Sequence, residues 1–305
     1  MQVKTFFKKL PFINFLVILL GLFLIVLHVF KKNKNIEAFT QEEKFILKKN
    51  STLYDDFYVN IYDTLLYDPI KKTYEVTNII GHSKMDKKSI VLDIGSGIGH
   101  HINELNNRGI NTIGLETSKA MIKKCKSKFN SMNLDIKYGN AMDSMIFETD
   151  QFTHILCLFY TFYYMPSQED FLRNCNKWLR FNGYLVVHIV DREMFHPIVP
   201  PSEIFSIPTQ VLAKDNKRIT ESIVKFKGFD YKSNFKQNGD KALFTEIFTD
   251  TASGNIRKNI HNLTIYTKED YEKMFTAAGF KIKSIIDLDN VRYHYQHLYV
   301  LQKVK

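Results

Sequence analysis

Residues 91–101 read VLDIGSGIGHH: an apolar run, an acid, then three glycines at alternate positions, 95, 97 and 99. An apolar run of this length is a buried strand, and the glycines end it in a bend that leads into a helix. Backbone without Cβ atoms lets a ligand approach the chain closely. The spacing is G-x-G-x-G. A dinucleotide fingerprint, G-x-G-x-x-G, needs its third glycine where this chain has His100. The phosphate-cradling G-x-x-x-x-G-K-[ST] is absent.

Two acids narrow the ligand. Asp93 stands at the strand end, two residues before Gly95. A carboxylate there repels a pyrophosphate and attracts a ligand bearing ammonium and sulfonium charges. Glu116 closes the next strand, TIGLE (112–116). Neighbouring strand ends meet at the ligand crevice of a doubly wound sheet, so Glu116 can accept both hydroxyls of a ribose. Read alone, Glu116 also suits a helix N-terminus near Thr117-Ser118.

The surrounding text alternates strand and helix. LDIKY (134–138), THILCLF (153–159) and GYLVVHIV (183–190) are further strands. After Ser118, Met121, Ile122, Cys125 and Phe129 share a helical face; after Ser167, Phe171, Leu172, Cys175, Trp178 and Leu179 do the same. The alternation predicts an α/β fold, a parallel sheet with helices on both faces. Between about 192 and 266 the pattern changes. SIVKFKGFDY, KALFTEIFTD and IRKNIHNLTIYT predict three antiparallel strands inserted into the main domain as a lid. A chain lacking 222–265 is expected to keep cofactor binding and lose transfer. Thr267 and Gly279 bracket a last helix, followed by strands FKIKSIIDL and HLYVLQK.

Ahead of this lies LPFINFLVILLGLFLIVLHVF, Leu10 to Phe30, without a formal charge. At 1.5 Å per residue it matches the roughly 30 Å hydrocarbon core of a bilayer. No small-x-small cleavage pattern follows, so the run reads as a membrane anchor, not a signal peptide. Basic residues flank both sides, and Lys44, Lys48 and Lys49 favour a cytosolic catalytic domain. Thr40 and Glu43 form a capping-box pattern that predicts a short helix, and Tyr54, Tyr58 and Tyr62 fall on one helical face. The organisation expected is a single-pass anchor with basic flanks (1–34), juxtamembrane and N-terminal helices (35–88), and a catalytic domain (89–305) carrying the 192–266 insertion.

Charge and cysteine usage exclude other classes. The net charge is +10, but only seven of the 42 basic residues are Arg, the residue that forks onto phosphates and bases. Scattered Lys argues against a nucleic-acid reader. Three widely spaced Cys fit neither a disulfide scaffold nor a CxxC zinc site, and His100, His101, His154 and His261 lack ligand spacing, so no metal is expected.

With Asp93, the glycines and Glu116 together, the chain resembles class I S-adenosylmethionine-dependent methyltransferases of the methyltransferase-11/25-like kind, over about 50–191 and 266–305. The resemblance implies a seven-stranded Rossmann-like sheet whose last strand runs antiparallel, with S-adenosylmethionine as cofactor. It implies that Asp93, Gly95, Ser96 and Gly97 line the methionine part, that Gly99 allows close helix packing, and that Glu116 binds the ribose. Where the family often has Gly-Asp-Ala, this chain has Gly139-Asn140-Ala141; Asn140, Ala141 and Met142 are the adenine contacts it implies, with Asp143 as a substitute acid. Where the family has leucine-histidine-histidine, this chain has YTFYYMP (160–166). Tyr160, Tyr163 and His188 are the catalytic candidates, with core packing as the rival role for each. The expected reaction is methyl transfer to a small or lipid-like acceptor; a protein or RNA methyltransferase and a non-catalytic scaffold that binds the cofactor are the alternatives.

Overall fold

The computed structural model describes residues 17–21, 43–198 and 218–305. The chain divides into two units, Met1–Glu37 and Ala38–Lys305. In the first, residues 17–21 are helical and the rest of the expected anchor lies outside the described residues. Among the described residues no helix is long and apolar enough to cross a membrane.

Among the described residues the second unit holds two sheets. The larger has seven strands: β2 (Ile90–Ile94), β3 (Asn111–Glu116), β4 (Asp135–Tyr138), β5 (Phe152–Cys157), β6 (Leu179–Val190), β11 (Phe280–Asp287) and β12 (Gln296–Lys303). Their order is β11-β12-β6-β5-β2-β3-β4. β12 runs antiparallel to both its neighbours, and the remaining pairs are parallel. The α/β class and the antiparallel last strand are as expected. Alternation along each strand splits the core: Leu185, Val187 and Ile189 join α5 (Gln168–Trp178) and α6 (Lys268–Ala277) on one face. Val186 and Val91 join α2 (Pro69–Ser83) and α3 (His100–Asn107) on the other. Ser118, Ser167 and Thr267 each accept a backbone N–H as helix N-caps, for α4 (Lys119–Lys128), α5 and α6 in turn.

The smaller sheet differs from the expectation in two ways. Residues 45–49 form a strand, β1, not a short helix, pairing parallel with β10 (Ile256–Thr264); the expected cap, Thr40, lies outside the described residues. A strand of five residues gains a full ladder from the open edge of β10, whereas a helix that short lacks the hydrogen bonds to offset its nucleation. Among the described residues the insertion contributes four strands, not three. SIVKFKGFDY breaks between β7 (Glu221–Lys225) and β8 (Phe229–Asn238), where the Phe226 N–H donates to the Phe229 carbonyl at 2.9 Å and Gly228 takes φ 99°. With β9 (Lys241–Asp250), the order is β1-β10-β9-β8-β7. The insertion also packs into the core of the larger domain. Phe235, Ala242, Leu263 and Ile265 belong to the same buried cluster as Phe171 and Tyr271, so cutting out 222–265 opens the core.

Candidate active site

A cavity of about 500 Å³ lies where the C-terminal ends of β2 and β3 meet the smaller sheet. The glycine bend forms one wall. Gly95, Gly97 and Gly99 have φ of 69°, 56° and 83°, which side chains rarely adopt. Their surroundings differ. A Cβ on Gly95 would meet Thr161 at 2.6 Å, and one on Gly99 would meet the Cys125 Sγ at 2.5 Å. Gly97 has only the Tyr62 hydroxyl nearby, at 3.8 Å, so its missing side chain leaves room in the cavity itself.

Register explains the acids. Asp93 pairs with Gly114 and Ile94 with Leu115, which sets the tips of β2 and β3 side by side. The Glu116 carboxylate accepts the Gly97 N–H at 2.9 Å and the Ser118 N–H at 2.8 Å. Burial pushes its pKa up; those backbone donors oppose the shift without cancelling it. Asp93 is 3% exposed. Burial raises its pKa to about 6, against the pull of His101, with Glu116 and Glu75 adding to the rise.

Of the expected cofactor contacts, Asp93, Gly95, Ser96, Gly97, Glu116, Asn140 and Ala141 line this cavity. Met142 does not: its N–H is taken by the Asn140 side chain at 3.0 Å; Gly99 lies outside the cavity and packs helix α3 closely against α4. The Ser96 Oγ is buried without a hydrogen-bond partner, a polar atom at the cavity wall that a ligand would satisfy.

The catalytic candidates separate. Tyr160 lines the cavity, and its buried hydroxyl has no partner. Tyr163 and His188 sit in the core, the rival role for each. The Tyr163 hydroxyl donates to the His188 carbonyl at 3.1 Å and accepts the Val190 N–H at 2.9 Å. His188 is fully buried between the Phe159 carbonyl at 2.6 Å and Gln296 at 3.1 Å. Burial, helped by Lys71, lowers its pKa to about 4. The reason is the tight turn Thr161–Tyr164, which sends Phe162 and Tyr163 into the core and leaves Tyr160 and Tyr164 at the cavity.

Sequence reasoning misses two groups. Lys71 and Glu75 on α2 meet His101 on α3: Lys71 Nζ lies 2.6 Å from Glu75 Oε1, and His101 Nε2 lies 3.0 Å from Oε2. The i,i+4 spacing of Lys71 and Glu75 is the only signal. The second group joins Glu246, His261 and Tyr164 across the two sheets, and no spacing announces it. Tyr54, Tyr58 and Tyr62 do fall together, all on the cavity, although Tyr54 precedes helix α1 (Asp56–Leu66).

Residues 92–187, the span from β2 to β6, match the family model described as methyltransferase domain. The chain carries a methyltransferase domain. No curated protein sequence matches it. Among solved structures, the CcbJ methyltransferase of Streptomyces caelestis is 17% identical, with a TM-score of 0.63 over 84% of this chain and 99% of that one. The sugar N-methyltransferase KedS8 of a Streptoalloteichus species is 18% identical, with a TM-score of 0.57 over 80% and 92%. CalS10 of Micromonospora echinaspora, an amino pentose methyltransferase solved with S-adenosylmethionine bound, is 18% identical, with a TM-score of 0.54 over 77% and 90%. At these identities the methyltransferase domain shares their fold.

Proposed function

We propose that this methyltransferase takes S-adenosylmethionine across the bend at 95–99 and transfers the methyl group to a small molecule held beneath the five-stranded sheet. The observation that carries the reading is the convergence of Asp93 and Glu116 on one cavity beside Gly97. In it, Glu116 would hold the ribose hydroxyls, and Asp93 the cationic methionine end. Ser96 would gain the partner it lacks, and Asn140 and Ala141 would contact the adenine. The cofactor supplies an activated methyl carbon, so the protein's work is to position the acceptor and exclude water. Aromatic walls from Tyr54, Tyr62 and Tyr160 suit that work. The small-molecule reading is supported by the sheet that roofs the cavity and by likeness to the sugar methyltransferases above. A protein or RNA acceptor would need an open groove.

Calorimetry with S-adenosylmethionine tests the site. Wild type binds, and Glu116→Gln, which keeps one acceptor oxygen but loses the charge, binds on the order of tenfold more weakly. Equal affinity in the variant removes Glu116 from the cofactor site, and no heat in the wild type removes the reading.

The uncharged run Leu10–Phe30 supports an anchor that tethers the domain, on the cytosolic side, to a membrane carrying lipid-like acceptors. Membrane fractions washed with alkaline carbonate are expected to retain the full chain; release into the wash counts against the anchor.

A further inference from the structure

A buried carboxylate in the smaller sheet reaches the cavity through two other side chains. Glu246 on β9 is 1% exposed. Its Oε1 accepts the Tyr58 hydroxyl at 3.2 Å and the Tyr231 hydroxyl at 2.9 Å. Its Oε2 takes Asn259 Nδ2 at 3.3 Å and His261 Nε2 at 2.8 Å. The other ring nitrogen of His261, Nδ1, is hydrogen-bonded to the Tyr164 hydroxyl. Tyr54 in turn donates to the Tyr164 oxygen at 3.3 Å. Tyr164, His261 and Tyr54 line the cavity; Glu246 does not.

The donor and acceptor pattern fixes a direction. With Nε2–H donating to the carboxylate, Nδ1 is left as the acceptor for the Tyr164 O–H. Burial pushes the Glu246 pKa up, but His261 and the hydrogen bonds from His261, Tyr231 and Asn259 outweigh it, so the carboxyl lies below its ordinary value and stays ionised. Burial also raises the Tyr164 pKa, keeping its proton on oxygen until His261 takes it. Carboxylate, imidazole and hydroxyl stand in the order that makes a general base.

We propose that Tyr164, His261 and Glu246 form a proton relay that accepts the proton of the methyl acceptor, so that the substrate is a small molecule methylated on oxygen or nitrogen. The inference rests on the methyl-transfer reading above and names its acceptor chemistry. As the acceptor's lone pair bonds to the methyl carbon, the carbon–sulfur bond breaks with its pair left on sulfur. The acceptor's proton passes to the Tyr164 oxygen, and the proton of Tyr164 passes to His261 Nδ1. Glu246 stabilises the imidazolium until it releases that proton by the same route. The relay joins β9 and β10 to the turn after β5, so it exists only while the two sheets are packed together.

A structural role for the same hydrogen bonds predicts different results. Besides Glu246 and Tyr164, the titratable or charged groups around His261 are Tyr54, Tyr58 and Tyr231. Arg257, also on β10, is held by Asp55 at 2.9 Å and Asn259 at 3.0 Å. The test uses the full chain, labelled S-adenosylmethionine as donor, and glucosamine, benzylamine and a simple thiol as acceptor probes. Calorimetry with S-adenosylhomocysteine runs beside it. In wild type, label enters oxygen or nitrogen. In Tyr164→Phe and His261→Asn, product affinity and KM hold within about threefold while kcat falls on the order of 10²–10⁴-fold. Independently of turnover, proton NMR shows a slowly exchanging imidazole N–H that survives in Tyr164→Phe and vanishes in His261→Asn. An unchanged kcat in either variant, label on sulfur, or a wild type that binds S-adenosylhomocysteine yet labels none of the probes overturns the relay. A wild type that fails to bind S-adenosylhomocysteine overturns the proposed function instead.

Discussion

Replacing Asp93 by Asn is expected to make the protein more stable and its cofactor site worse. The two effects share one cause. Burial lifts the Asp93 pKa from the ordinary 3.8 to about 6. The folded state therefore holds a proton that the unfolded state has already released between those values. Stability is fully present below 3.8 and is lost as the pH rises through about 6. At neutral pH the ionised Asp93 costs about 3 kcal/mol at most, since a tenfold change in proton affinity corresponds to about 1.4 kcal/mol. Asn carries no charge to desolvate and keeps nearly the same shape. Urea unfolding at neutral pH is expected to show Asp93→Asn more stable by about 2–3 kcal/mol, with the gap closing in acid. The same charge attracts a cation. Affinity for S-adenosylmethionine is expected to drop about tenfold in the variant and to fall in the wild type as the pH goes below about 6. S-adenosylhomocysteine, whose sulfur is neutral, loses less. A variant less stable than wild type at neutral pH defeats the argument.

The parts of this fold legible in the sequence are those with a local cause. Gly95, Gly97 and Gly99 announce a bend because side chains rarely adopt their backbone angles. β2, β3, β5 and β6 are legible because each carries a short, mostly apolar run, as strands covered by helices on both faces do. Glu116 is legible beside the bend because adjacent parallel strands end together. What stays hidden depends on direction or on distance along the chain. Tyr163 and Tyr164 are neighbours of the same type, yet one faces the core and the other the cavity, a difference set by the turn that carries them. His188 lies near a strand end and reads as a catalytic candidate, but β12 pairs across it and supplies Gln296. β1 reads as part of a short helix, and becomes a strand only because β10 offers an edge more than two hundred residues later. Glu246 and His261 carry no spacing signature at all, since antiparallel pairing of β9 with β10 brings them together.

Lys71→Ala is expected to be among the most destabilising single changes in the protein. Lys71 is 7% exposed and Glu75 is 1% exposed, on one turn of α2. The ammonium also lies 5.1 Å from the Phe159 ring and 4.9 Å from the Tyr293 ring, so it is held by aromatic faces as well as by the carboxylate. Burial alone would raise the Glu75 pKa. Lys71 and His101 overcome that and lower it to about 2 from 4.5. A depressed carboxylate pKa stabilises the fold above about 4.5, and that contribution, about 3 kcal/mol, disappears as the pH falls through about 2. Removing Lys71 leaves a buried carboxylate with His101 as its remaining side-chain partner. The expected loss is about 3–5 kcal/mol, measured by urea unfolding at neutral pH. Replacing both residues separates the pair from its packing. Lys71→Met with Glu75→Leu removes both buried charges and keeps most of the volume, so the double variant is expected to unfold less readily than Lys71→Ala alone. If the double variant is instead as unstable as the sum of the two single changes, Lys71 and Glu75 do not stabilise one another, and the depressed carboxylate must owe its state to His101.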